Sequence, residues 1–153
     1  MAFTTVKAIY DSFYTLIGGL DPDGKAAGGG YEFEPRSEAV SWDKVPESDM
    51  DRRFTVENLT RGEIQMFGTI NEIDYGGTIQ IHIMHAVTDD EREGTTRRDQ
   101  DLYQICEEME DKDNFDTMGG ISLVRYANTL LQKRGNYWYT ILTFKINYTL
   151  AAP

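Results

Sequence analysis

The hydrophobic periods along this chain predict an α+β fold: two helices packed on one face of a mainly antiparallel sheet, in the order α-β-β-α-β-β. Three observations lead there. Apolar residues recur at helical spacing in two separate stretches, residues 4 to 17 and about 95 to 112. They alternate at strand spacing over Thr78 to Val87 and again over Tyr137 to Leu150. Each of those strands has one apolar face, which calls for one covering layer.

The first helix rests on Val6, Ile9, Tyr10, Phe13, Leu16 and Ile17, a single apolar stripe. Thr4 or Thr5 is placed to cap its first free N–H groups, and Gly18-Gly19 to end it in a left-handed turn. From 20 to 53 the period vanishes among Asp21-Pro-Asp-Gly24, Gly28-Gly-Gly30, Pro35 and Pro46. Tyr31, Phe33, Val40 and Trp42 give this long loop too much apolar surface for a linker, so partial order is expected, with Trp42 docked on the body or on a neighbouring subunit.

Phe54 to Leu59 reads as a short strand, and Glu63 to Asp74 as a further extended piece. Gly76-Gly77 then reads as the turn into a strand with Ile79, Ile81, Ile83 and Val87 on one face and Gln80, His82 and Met84 on the other. A charged loop follows, and Thr95 or Thr96 is the expected cap of a helix carrying Leu102, Ile105, Cys106 and Met109. Ile121 to Leu131 and Tyr137 to Leu150 form the last two strands around a turn at Gly135, and so pair antiparallel. The whole chain, 1–153, is expected to form a single domain, with 20–53 as its partly ordered loop.

Composition narrows the function. The net charge is −11 and the isoelectric point about 4.5, which disfavours a nucleic-acid reader. One cysteine cannot form an internal disulfide. No apolar run approaches the ~18 residues of a membrane span, and Lys7 and Asp11 interrupt the N-terminal stretch, so a soluble intracellular protein is expected.

The candidate chemistry is thin. His82 and His85, three apart on a strand, point to opposite faces and cannot share a metal ion. Cys106 lies on an apolar helix stripe, where a thiol behaves as a small hydrophobe. Asp21 to Gly24 and Asp111 to Asp113 lack the later ligands of a calcium loop, and Gly28 to Gly30 lacks the lysine of a phosphate loop. The sequons at Asn58 and Asn147 carry no weight without a secretory signal. Between Asp89 and Asp116 twelve acidic residues face four basic ones, a solvated surface or a wall that repels anions. Tyr137, Trp138 and Tyr139, with Arg134 beside them, are either a core anchor or a subunit contact.

The closing strand Gly135-Asn-Tyr-Trp-Tyr-Thr-Ile-Leu-Thr-Phe-Lys-Ile-Asn-Tyr-Thr-Leu150, with its Ile146-Asn-Tyr148 ending, resembles that of the tail terminator (tail completion) proteins of long-tailed bacteriophages. So does the step from strand 78 to 87 through a charged loop into Arg97-Arg-Asp-Gln-Asp101, and the order of elements as a whole. The chain departs from that family in the length of 20 to 53 and in the piece at 63 to 74.

The resemblance implies a non-enzymatic virion protein without a cofactor, made in the host cytoplasm. It would form a ring, usually a hexamer, that caps the tail tube, ends its polymerisation and receives the head connector. Its partners would be its own copies, the tail-tube protein and the head–tail connector protein, with DNA passing through unbound and no membrane involved. Candidate interface residues are Trp42, Arg97, Arg98, Asp101, Arg134, Tyr137, Trp138 and Tyr139. Candidate channel-facing acids are Asp89, Asp90, Glu91 and Glu93. The neighbouring readings are a head-completion adaptor or a tail-tube protein; the reading from another class is a small hydrolase or ligand-binding domain using a carboxylate pair.

Overall fold

The computed structural model describes residues 4–20, 22, 33–35, 51–67, 72–87, 90–115 and 120–151. The elements are α1 (Val6–Gly18), β1 (Glu34–Pro35), β2 (Arg53–Glu57), β3 (Glu63–Phe67), β4 (Glu72–Ala86), α2 (Glu91–Glu110), a 3-10 turn (Lys112–Asn114), β5 (Ile121–Arg134) and β6 (Tyr137–Ala151). This is an α+β protein with two helices and a mainly antiparallel sheet. Two more strands are present than the expected order held: β1, inside the long loop, and β3, the piece around 63 to 74.

The sheet order is β1-β2-β4-β6-β5, with β3 also paired to β4. Because β2 opposes Gln80 to Ile83 and β3 opposes Ile73 to Gly76, the two lie end to end along the same side of β4. Among the described residues only β1 against β2, and a single bridge from Thr4 to Leu150, run parallel. β4 and β6 pair over their full lengths, Glu72 opposite Ala151 to Ala86 opposite Tyr137, and form the spine.

Gly76-Gly77 is not a turn; both glycines lie inside β4. The junction between β2 and β3 crosses them closely, so that a Cβ on Gly77 would stand 2.1 Å from the Thr60 carbonyl oxygen. Gly62, in a left-handed conformation (φ +59°), meets Gly76 the same way. At the other end of the sheet Gly135 (φ +59°) makes the tight turn between β5 and β6.

Helix limits follow their caps. Thr5 Oγ1 accepts the Ala8 N–H at 3.1 Å, as expected for α1, but Gly19 stays right-handed (φ −89°) instead of turning left. α2 begins earlier than Thr95: Asp90 is the cap and accepts the Glu93 N–H at 3.1 Å, because a carboxylate at a helix start satisfies a free donor and meets the positive end of the dipole. Thr96 sits inside the helix and donates to the Arg92 carbonyl at 2.8 Å.

Ile9, Phe13 and Ile17 of α1 and Ile105 and Met109 of α2 join one buried cluster with Phe54, Ile79, Ile81, Ile83, Leu142, Phe144 and Ile146. These β4 and β6 residues are the ones that alternation places on one face. Phe33 is buried in the same cluster, so part of the 20 to 53 segment packs on the body. The expected docking of Trp42 falls outside the described residues.

Candidate functional site

Asp51 and Arg52, just ahead of β2, tie the end of β4 to α2. The Arg52 N–H donates to the Met84 carbonyl at 2.7 Å, and the Ala86 N–H donates to Asp51 Oδ1 at 2.9 Å. Arg52 has a left-handed backbone (φ 58°), a conformation that costs an L-residue about 1–2 kcal/mol. Its side chain explains why the position is held. The guanidinium is fully buried and grips Asp101 with two hydrogen bonds, Nε to Oδ2 at 2.7 Å and Nη2 to Oδ1 at 3.0 Å.

His85 approaches the same carboxylate, Nε2 to Oδ2 at 2.8 Å, and its Nδ1 has no hydrogen-bond partner among the described residues. The Arg52 guanidinium also lies 5.9 Å from the centre of the Phe33 ring. One helical turn before Asp101, Arg97 donates to both oxygens of Asp51. Burial works to raise the Asp51 pKa, but the Arg97 hydrogen bond, the Ala86 N–H and the charges of Arg97 and His85 outweigh it, and the group sits below the usual carboxylate value.

Beside this ionic cluster the aromatic residues that open β6 are stacked with cations. Arg98 lies 4.6 Å from the centre of the Trp138 ring and Lys133 5.7 Å, while Arg134 lies 4.2 Å from Tyr139. Arg98 also bonds Asp99, Nε to Oδ1 at 3.0 Å. On the other face of the sheet Tyr139 is hydrogen-bonded to His82, whose Nδ1 is 3.2 Å from Glu57. His82 and His85 therefore occupy opposite faces with separate partners.

Seven of the eight candidate interface residues are thus gathered around the paired ends of β4 and β6: Arg97, Arg98, Asp101, Arg134, Tyr137, Trp138 and Tyr139. Tyr137, half-buried, pairs with Arg134 across the hairpin. The structure changes the role open to some of them. Asp101 is fully buried and Arg98 nearly so, and both anchor α2 on the sheet, whereas Tyr139, equally buried, is held by His82 on the opposite face. Among the acids, Asp90 is exposed but serves as the cap, Glu93 is exposed in the first turn, and Glu91 opens the helix. Asp89, like Trp42, lies outside the described residues.

Arg52, Asp51 and His85 escaped the sequence reading as a group. Nothing in the periodicity marks an arginine beside a strand as buried, and the partner lies 49 residues away.

The chemistry of this cluster is mutual neutralisation. No group of three or more His, Cys, Asp and Glu side chains suited to a metal ion occurs among the described residues. Cys106 is half-buried, and burial followed by the nearby Glu110 charge pushes its thiol up to about 11. Along the outer side of α2 runs an open cleft of about 420 Å³, lined by Thr96, Asp99, Gln100, Tyr103, Gln104 and Glu107.

The two sides of the sheet are finished differently. Beside β2, β1 covers the first two residues, and the Val56 and Leu59 N–H groups donate to the hydroxyls of Tyr14 (3.0 Å) and Tyr10 (2.9 Å) on α1. At the opposite side β5 is the terminal strand for 14 residues, and no described strand pairs with its outer edge. It leaves Leu123, Tyr126, Leu130 and Leu131 exposed, Leu130 by 49%. No helix among the described residues is long and apolar enough to cross a membrane. No protein-family model and no curated protein sequence matches the chain.

Proposed function

We propose that this chain is a non-enzymatic assembly protein of a bacteriophage neck or tail, which closes into a ring on the end of the tail tube, stops its growth and presents a surface to the head connector. In this reading both helices cover one face of the sheet, and subunits join through what the fold leaves bare. The observation that carries it is the asymmetry of the two sheet edges. A long, apolar, unpaired edge strand is a liability that soluble monomers blunt with charges, bulges or covering segments. Here the β2 edge is covered by β1 and two tyrosine hydroxyls, whereas β5, although it carries two bulges and Arg125, Lys133 and Arg134, displays four large apolar side chains and has no described strand on its outer edge. Such an edge has a use when another subunit covers it. A ring needs two different patches on each subunit, of which the β5 edge supplies one.

The test is addition of the purified protein to a polymerising phage tail-tube protein, followed by negative-stain imaging and light scattering. Shortened tubes capped at one end by rings of about six copies are expected. Tubes of unchanged length with no protein at their ends overturn the reading, whatever the oligomeric state in solution.

A further inference from the structure

Charge is divided along this chain. Residues 121 to 151, which hold the β5–β6 hairpin, contain Arg125, Lys133, Arg134 and Lys145 and no Asp or Glu, so all 26 acidic side chains lie elsewhere. Arg125 and Lys145 stand directly opposite each other across the hairpin, both exposed. Like charges in that relation repel, and neither side chain has an acidic partner within hydrogen-bond or ion-pair distance among the described residues. The pairing register, with its bulge between Tyr126 and Asn128, puts Leu123 and Leu130, 36% and 49% exposed, on the same face as this pair. The result is a mixed face on which two exposed leucines lie along the same strand as a pair of cations, with Asn128, Thr143 and Asn147 beside them.

The outer side of α2 is the counterpart. Tyr103, 68% exposed, lies between Asp99 and Glu107, one turn away on either side, in the open cleft of that helix. We infer that the face of the β5–β6 hairpin bearing Arg125, Lys145, Leu123 and Leu130 docks on the α2 cleft of a second copy of this chain, head to tail. The inference rests on the ring reading above and names its contact.

Two arguments select this occupant. Pairing of two β5 edges about a two-fold axis would bring together two acid-free hairpins carrying four cations each, which repel, whereas hairpin against α2 joins opposite charges. A nucleic-acid backbone would satisfy the cations but would leave the two leucines facing phosphates.

The test uses the full chain and two charge-reversed variants, Arg125→Glu/Lys145→Glu and Asp99→Lys/Glu107→Lys. All four sites are exposed; because Asp99 also accepts from Arg98 Nε, Glu107→Lys alone is made beside the α2 double variant, and each variant must match the parent far-ultraviolet circular dichroism before its mass is read. Masses are read by light scattering up to about 1 mM protein. The parent is expected to self-associate, less so as salt rises and shortens the screening length below ~10 Å. Each variant alone stays monomeric, and an equal mixture regains the parent mass because both contacts become complementary again.

An α2 variant that keeps the parent mass by itself overturns the head-to-tail pairing in favour of hairpin against hairpin. A mixture that remains monomeric overturns it as well. Binding of a short DNA duplex that the hairpin variant loses, with oligomer mass unchanged, replaces the second copy by nucleic acid. A parent that is monomeric throughout overturns this contact while leaving ring closure on a tail tube to be decided by the tube-end assay.

Discussion

Replacing Asp101 by Asn tests how much of the stability rests on one buried carboxylate. Asp101 and Arg52 are both fully buried, and the carboxylate accepts from Arg52 Nε at 2.7 Å, Arg52 Nη2 at 3.0 Å and His85 Nε2 at 2.8 Å. Asparagine keeps one acceptor oxygen, but its amide turns two donors toward groups that are themselves donors. The buried guanidinium loses the carboxylate that accepts its two hydrogen bonds. Breaking a buried pair from one side costs about 3–5 kcal/mol, and for a domain of about 150 residues each kcal/mol lowers Tm by roughly 2–4 °C. Asp101→Asn should therefore melt at least about 6 °C below the parent. Urea denaturation followed by circular dichroism gives the free energy, and the double variant Arg52→Met/Asp101→Leu is the control. Removing both charges should return much of the loss, because the desolvation cost of the pair disappears with it. A single variant within about 1 kcal/mol of the parent, or a double variant worse than the single, would refute the assignment of Arg52 and Asp101 as a mutually dependent buried pair.

Other consequences concern separate parts of the molecule. The folded-state pKa of Asp51 is lowered from 3.8, so its ionised form stabilises the fold above that value and the benefit is lost as pH falls through the depressed folded value. The stability gap between the parent and Asp51→Asn should be full at pH 7 and close at more acid pH; a gap that does not change in urea titrations across that range contradicts the Arg97 linkage. Gly77→Ala places a methyl group 2.1 Å from a backbone oxygen and should cost about 1–3 kcal/mol, whereas Gly18→Ala, with open space at the end of α1, should gain up to about 1 kcal/mol. Equal melting temperatures for the two would show that the β2–β3 junction does not approach β4 as described. Cys106, with its thiol pushed up to about 11, should react slowly with a thiol reagent at pH 7.5 and much faster in urea; similar rates in both would place it in open solvent.

Much of the architecture is written in local pattern. The apolar stripe from Val6 to Ile17 fixes α1, and alternation over 79 to 83 and 142 to 148 fixes the core faces of β4 and β6, because these periods are set by backbone geometry alone. The separation of His82 from His85 follows from the same rule. The sequence singled out Arg97, Arg98, Trp138 and Tyr139 as candidate interface residues, and the fold sets them near the paired ends of β4 and β6. Local pattern could not say that Arg98 and Asp101 face inward, since a charged residue is buried only when its partner arrives from elsewhere in the chain.

Tertiary structure decided the rest. Gly76-Gly77 carries the local signature of a turn, yet a neighbouring backbone passes close to it, and that neighbour is not visible in the two residues themselves. Arg52 takes a left-handed conformation that its own chemistry disfavours, because a carboxylate 49 positions away holds its side chain. The sheet order decided that β5 and not β2 ends with a bare edge: α1 returns its tyrosines to the β2 side, and no described strand pairs with the outer edge of β5. Sequence by itself determined which faces are apolar and that the last 31 described residues carry no acid. Only the pairing of strands put Arg125 across from Lys145, since contact between distant residues depends on the closure of the whole sheet and not on the period of any segment.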